Sequence, residues 1–198
     1  MFKRICKITF IAHGATVYSM DGIINDTLKY PKLNDFGEEE IEKVCEYLEK
    51  RGVAYDKIYT SPNACCTQSA QIIAKLFKQK AISLDLKQRN FGNWKGSFYA
   101  DLFKEQGSAV LTQTPENGES LADFNKRITN TIKKLIKENK GTRIIIVTTP
   151  EVIQSAIAQA LGIKAENQHK TLIKTGSLTQ ISYFEGWSSL IYSGYVPL

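Results

Sequence analysis

His13 closes the apolar run Ile5 to Ala12 and is followed at once by Gly14, which sets an imidazole at the end of a strand-like segment. An imidazole so placed can act as a nucleophile or carry a proton. Cys65 and Cys66 lie just behind Ser61-Pro62, in a stretch that reads as a helix. They are adjacent rather than at metal-ligand spacing, and they read as small helix residues, with Cys66 turned to the core. If the fold brings Cys65 to His13, the two make a thiol and imidazole pair, a separate nucleophilic chemistry.

The elements that must position these groups follow from periodicity. Ile5 to Ala12 reads as a strand, Gly37 to Arg51 as a helix through Ile41, Val44, Cys45 and Leu48, and Asp56 to Ser61 as a second strand. Ser61-Pro62 is expected to open a helix running to about Lys78, with Pro62 in its first turn. Residues 81 to 86 read as a short third strand. Arg89 to Thr114 is loop and short helix rich in aromatic residues, suited to lid a pocket, with Phe91 and Trp94 read as core. Leu121 to Lys140 carries one apolar stripe and predicts a core-facing helix. Arg143 to Thr149 contains Ile144-Ile145-Ile146-Val147, the run expected of a strand buried on both faces. Thr149 reads as the N-cap of a helix that starts at Pro150 and ends at Gly162. Ser177 to Tyr183 and Ser188 to Tyr192 complete the sheet.

Strands alternating with helices predict an α/β fold, a three-layer sandwich with a mostly parallel central sheet. At 198 residues the expectation is a single domain spanning 1–198. In open α/β sheets ligands bind outside the carboxyl ends of the strands. That rule points to His13, Ser61 to Cys66, Gln88 to Gly92, and Thr149-Pro150.

Composition narrows the function classes. A hydrophobic share of 42% and a charged share of 23% are those of a globular chain, not of a disordered one. The net charge of +6 invites polyanions, yet the densest basic stretch, Lys126 to Arg143, reads as a solvated helix face. With no reading motif beside it, nucleic acid is not an expected partner. Four cysteines make no disulfide framework, and the N-terminal apolar run, interrupted by Lys7, is too short for a signal sequence. No stretch approaches the ~20 apolar residues of a membrane span, so a cytoplasmic setting without a membrane partner is expected.

The candidate segments carry a resemblance that covers nearly the whole chain. Ile11-Ala12-His13-Gly14-Ala15-Thr16, Tyr59-Thr60-Ser61-Pro62 with Gln68-Ser69-Ala70, Leu86 to Gly96, Asn117-Gly118-Glu119-Ser120-Leu121 with Arg127, and Val147 to Ile153 stand in order and at suitable spacing. Together they resemble the histidine phosphatase superfamily, the phosphoglycerate mutase-like family. The resemblance implies a phosphoglycerate mutase-like fold and phosphoryl transfer through a phosphohistidine, without metal or other cofactor. Such chemistry needs a nucleophilic imidazole, cationic donors around the phosphoryl oxygens and a carboxylic acid for the leaving group.

Matched residue by residue, the chain departs from that pattern. His13 stands at the nucleophile position, but Ala12 and Cys65 occupy two arginine positions, and Ser19 matches an asparagine. Thr149 stands for the second histidine and Gln88 for the acid. A charge-assisted bond to phosphate is worth roughly 1.5–3 kcal/mol. Losing several leaves the pocket a poor phosphate site. His13 is then either a packed residue bonded to backbone or a residue still used in binding or catalysis. The leading expectation is a non-catalytic binding or regulatory member that takes an unidentified protein or a small phosphorylated ligand. The alternative is an active phosphomonoesterase, phosphatase or mutase, working through His13 with Glu119 as acid and Lys87, Arg89 or Lys95 as substitute cations. The resemblance also implies a homodimer.

Overall fold

The computed structural model describes residues 3–25 and 31–198. Its six strands are β1 (Arg4–Ala12), β2 (Lys57–Thr60), β3 (Ala81–Ser83), β4 (Arg143–Thr148), β5 (Leu178–Phe184) and β6 (Ser188–Tyr195). They form one sheet in the order β3-β2-β4-β1-β5-β6. The first four positions are parallel, while β5 and β6 return antiparallel.

The isoleucine run of β4 explains the layering. Ile144 and Ile146 pack with Phe124, Ile128 and Ile132 of α5 (Leu121–Glu138) and Val152, Ile153 and Ile157 of α6 (Pro150–Leu161). Ile145 and Val147 point the other way, into Ile41, Val44 and Leu48 of α2 (Asp35–Arg51) and Ala70 and Ile73 of α3 (Ala64–Leu76). All four β4 side chains are fully buried, each worth roughly 1.5–3 kcal/mol against exposure. A strand buried on both faces demands helices on both, so the three-layer arrangement follows from that run. Among the described residues no helix is long and apolar enough to cross a membrane.

Several expected boundaries shift. Pro62 precedes α3 instead of sitting in its first turn, because Asn63 takes the cap position and the helix begins at Ala64. The third strand stops at Ser83, where its pairing with β2 ends. Helix α2 starts two residues early, since the Asn34 side chain accepts from the Gly37 N–H and fixes the cap there. One short helix was not expected, α1 (Val17–Asp21), which buries no side chain and is held by a capping box between Thr16 and Ser19. Ile24 joins Phe91, Leu102 and Val110 of the aromatic segment in a small separate core with Trp94 and Tyr99 against it, around α4 (Tyr99–Gln106). That segment walls one side of the cleft described next.

Candidate active site cleft

The loop that carries His13 is fixed from several directions. Its backbone N–H donates to the Thr148 carbonyl at 3.0 Å, and its own carbonyl accepts from the Gly176 N–H at 3.1 Å. Gly14 N–H donates to the Ser69 hydroxyl at 3.1 Å, and Ala15 N–H to a Glu40 carboxylate oxygen at 2.8 Å. The second Glu40 oxygen accepts from the Thr175 hydroxyl at 2.9 Å. Glu40 therefore joins α2, the His13 loop and the turn before β5. Glycine is required at position 14, where an added Cβ would lie 2.1 Å from the Gly37 carbonyl oxygen.

This framework orients the ring. Nδ1 of His13 is 2.7 Å from the Gly14 carbonyl, so Nδ1 carries the proton and donates. In the neutral tautomer Nε2 is then the nitrogen with the lone pair. His13 and Cys65, from the first turn of α3, line the same cleft, which has a volume of about 230 Å³. Burial pushes the ring down, but the facing Cys65 sulfur and the Gly14 carbonyl outweigh it and leave His13 above its ordinary value. Cys65 is held well below the usual thiol range, first by the Cys66 thiol and then, against the effect of burial, by His13.

Gln88, Thr149, Ser19, Asn63, Tyr99 and Glu151 also line this cleft. Thr149 occupies the cap position of α6 with extended backbone, and Pro150 follows as expected. Its hydroxyl, however, makes no cap bond and is buried without a hydrogen-bond partner, which corrects the expected capping role. Ser19 faces the cleft from α1, but its hydroxyl is taken up by Thr16, accepting from the backbone N–H at 2.9 Å and donating to the carbonyl at 3.0 Å.

Ala12 does not belong with these residues. It is fully buried in the core on the α5 and α6 side of the sheet and does not line the cleft. Strand alternation explains this, because neighbouring side chains point to opposite faces.

The expected replacement acid is also corrected. Glu119 is held by Arg127 in a two-point ion pair, Nε to Oε1 at 2.6 Å and Nη2 to Oε2 at 2.8 Å, away from the cleft. None of the three proposed substitute cations lines the cleft. Lys87 pairs with Asp85 at 3.5 Å, and Arg89 is buried, donating to the Gln113 and Glu119 carbonyls. Among the described residues that line the cleft there is no lysine and no arginine.

The acid that the sequence reading missed is Glu151, on the first turn of α6. Burial pushes its carboxyl up to about 7, partly offset by Arg89, the Tyr99 hydroxyl and the Gln88 amide. Tyr99 donates to it at 3.4 Å. The sequence signal was present but undervalued: Thr149-Pro150-Glu151 follows a buried strand, so a carboxylate there starts a helix at the site itself. Among the described residues no group of three or more His, Cys, Asp or Glu side chains could hold a metal ion. Among its described residues the cleft offers an imidazole, a cysteine sulfur held toward the thiolate, and a carboxyl near its midpoint at neutral pH.

Comparison with known proteins agrees with this architecture. The family model described as histidine phosphatase superfamily (branch 1) matches residues 8–192. A broad-specificity phosphatase of Saccharomyces cerevisiae is 25% identical over 187 residues, covering 91% of this chain and 81% of that protein. Phosphoglycerate mutase-like protein 4 of Arabidopsis thaliana is 29% identical over 164 residues, covering 78% and 70%. Among solved structures, the alpha-ribazole phosphatase of Shigella flexneri superposes with a TM-score of 0.83 at 22% identity, over 97% of this chain and 98% of that one. The Entamoeba histolytica phosphoserine phosphatase in complex with 3-phosphoglyceric acid gives 0.83 at 22%, over 96% and 98%. At such identities the structural likeness establishes the fold.

Proposed function

We propose that this chain, which belongs to the histidine phosphatase superfamily (branch 1), uses its cleft to bind a small ligand and does not turn over phosphomonoesters. One observation carries the reading: among the described residues, no lysine or arginine stands beside His13 in the cleft. Phosphoryl transfer depends mainly on positioned charge, and each missing charge-assisted bond removes roughly 1.5–3 kcal/mol of anion binding. The imidazole adds a second obstacle. The facing Cys65 sulfur and the Gly14 carbonyl favour the protonated ring, and a protonated nitrogen is no nucleophile. The occupant we propose is a small phosphorylated ligand that the cleft holds without hydrolysing. The setting is the cytoplasm, where the four cysteines stay as thiols.

Glu151 favours a second reading, an active phosphomonoesterase. Nε2 of His13 would attack phosphorus, the ester P–O bond would break, and the Glu151 carboxyl would hand its proton to the leaving oxygen. The resulting carboxylate would then take a proton from the water that hydrolyses the phosphohistidine. The phosphatase and mutase names of the relatives support this alternative.

Assays with p-nitrophenyl phosphate and 3-phosphoglycerate separate the two. Turnover at background in wild type, unchanged in His13→Ala, is the expected result. Turnover that His13→Ala abolishes and Glu151→Gln cuts by ~10²-fold or more would overturn the binding reading and establish the enzymatic one.

A further inference from the structure

We propose that the cavity bounded by Lys7, Arg51 and Arg143 is a second ligand site, specific for a small polyanion and separate from the His13 cleft. Lys7 and Arg143 are direct partners in the parallel register of β1 and β4. Arg51, the last residue of α2, closes the third side, donating to the Tyr47 hydroxyl at 3.0 Å with its guanidinium 5.7 Å from that ring. Lys7 lies on β1 six residues before His13, which follows the strand's end, about 20 Å away at ~3.3 Å per residue.

Three features make this a built cavity. Among the described residues no carboxylate lines it, and none of the three cations has an ion pair within 4.0 Å. The nearby Asp56 carboxylate accepts from the Arg143 backbone N–H at 2.8 Å. The cations therefore face one another, and burial together with Arg4, Arg143 and Arg51 pushes the Lys7 ammonium below its ordinary value. Beneath them lies a buried polar floor, in which Tyr55 Oη and Thr9 Oγ1 are 3.3 Å apart and Gln180 Nε2 donates to Thr9 Oγ1 at 3.0 Å. Gathering like charges over a buried polar floor is unfavourable for the empty fold and becomes favourable when an anion enters.

Size selects the ligand class. A volume of about 240 Å³ falls below the ≈300–1,000 Å³ of pockets that take drug-sized molecules. The site fits clustered anionic oxygens carrying two or more charges, from a phosphate or a polycarboxylate, with tyrosine surfaces for any short organic body. The fork of a guanidinium matches either oxygen pair.

The test is calorimetric titration of the full chain with pyrophosphate and, separately, citrate at low ionic strength. Saturable binding of one equivalent is expected, unchanged in His13→Ala and weakened about tenfold in each of Lys7→Gln, Arg51→Gln and Arg143→Gln. Lys133→Gln, on the solvent face of helix α5, should leave it intact. Preference for pyrophosphate over citrate, or the reverse, identifies the oxygen source. Arg51 is exposed at a helix end, so its variant tests the site without disturbing the sheet. No saturable binding at millimolar anion, binding lost in His13→Ala, or equal loss in Lys133→Gln would each overturn the proposal.

Discussion

His13 and Cys65 answer each other across the cleft wall: the sulfur raises the ring's affinity for a proton, and the ring helps lower that of the sulfur. Burial drives the other three cysteines the opposite way, Cys6 and Cys45 to about 11 and Cys66 well above its ordinary value. At neutral pH the thiolate should be concentrated on Cys65. Iodoacetamide should therefore modify Cys65 first, at least tenfold faster than any other cysteine, as read by peptide mass spectrometry. His13→Ala should slow that reaction. Equal labelling of Cys45 and Cys65 would refute the pairing.

Glu151 links the cleft to stability. Its carboxyl moves from an ordinary 4.5 to about 7 on folding, so between those values the folded chain holds a proton that the unfolded chain has released. Stability from this group is thus present below about 4.5 and is lost as pH rises through about 7. The full span is worth roughly 3 kcal/mol as an upper bound. Glu151→Gln should flatten that part of the pH profile and raise the Tm at pH 8 relative to wild type. An unchanged profile in denaturant titrations at pH 5 and pH 8 would show that the carboxyl is solvated.

Gly14→Ala should destabilise the fold by about 2 kcal/mol or more, because the new methyl meets the backbone of Gly37 rather than a side chain that can yield. Thermal denaturation reads this directly. A Tm within a degree of wild type would mean that the His13 loop does not pack on the first turn of α2.

Restoring charge should restore phosphate affinity. Cys65→Arg and Thr149→His both place cations in the cleft, and Gln88→Glu adds a carboxyl. The triple variant should bind inorganic phosphate at least tenfold more tightly than wild type by phosphorus NMR titration and should gain p-nitrophenyl phosphate turnover. Adding Ala12→Arg should lower stability, since that position lies in the packed core. A triple variant with wild-type affinity would show that missing cations are not what limits anion binding.

The sheet and its two helical layers were readable because β4 spells them out: four consecutive apolar residues can be buried only between two layers. His13, Cys65, Gln88 and Thr149 were locatable for a related reason, as all follow strand ends or start the next element. Other features depend on distances that the chain order hides. Glu151 owes its raised carboxyl to burial near Tyr99, 52 residues away, and periodicity carries no trace of that contact. The motif matches Ala12 to a cation position, but a motif match fixes position and not face, and the side chain lies in the core. The cations at Lys7, Arg51 and Arg143 are scattered in sequence and meet only through strand register and the end of α2. Helix α1 has no buried stripe to announce it, only a local cap.

The placement of β1 bears on how the chain comes into being. Its neighbours in the sheet are β4 and β5, which begin at Arg143 and Leu178. As the polypeptide leaves the ribosome, its most apolar early segment therefore emerges with both hydrogen-bonding edges vacant. They stay so until most of the remaining sequence has been translated. Long-range pairing of this kind is slow, and an unpaired apolar edge recruits other chains. Until β4 and β5 are made, that edge is one a chaperone would need to cover.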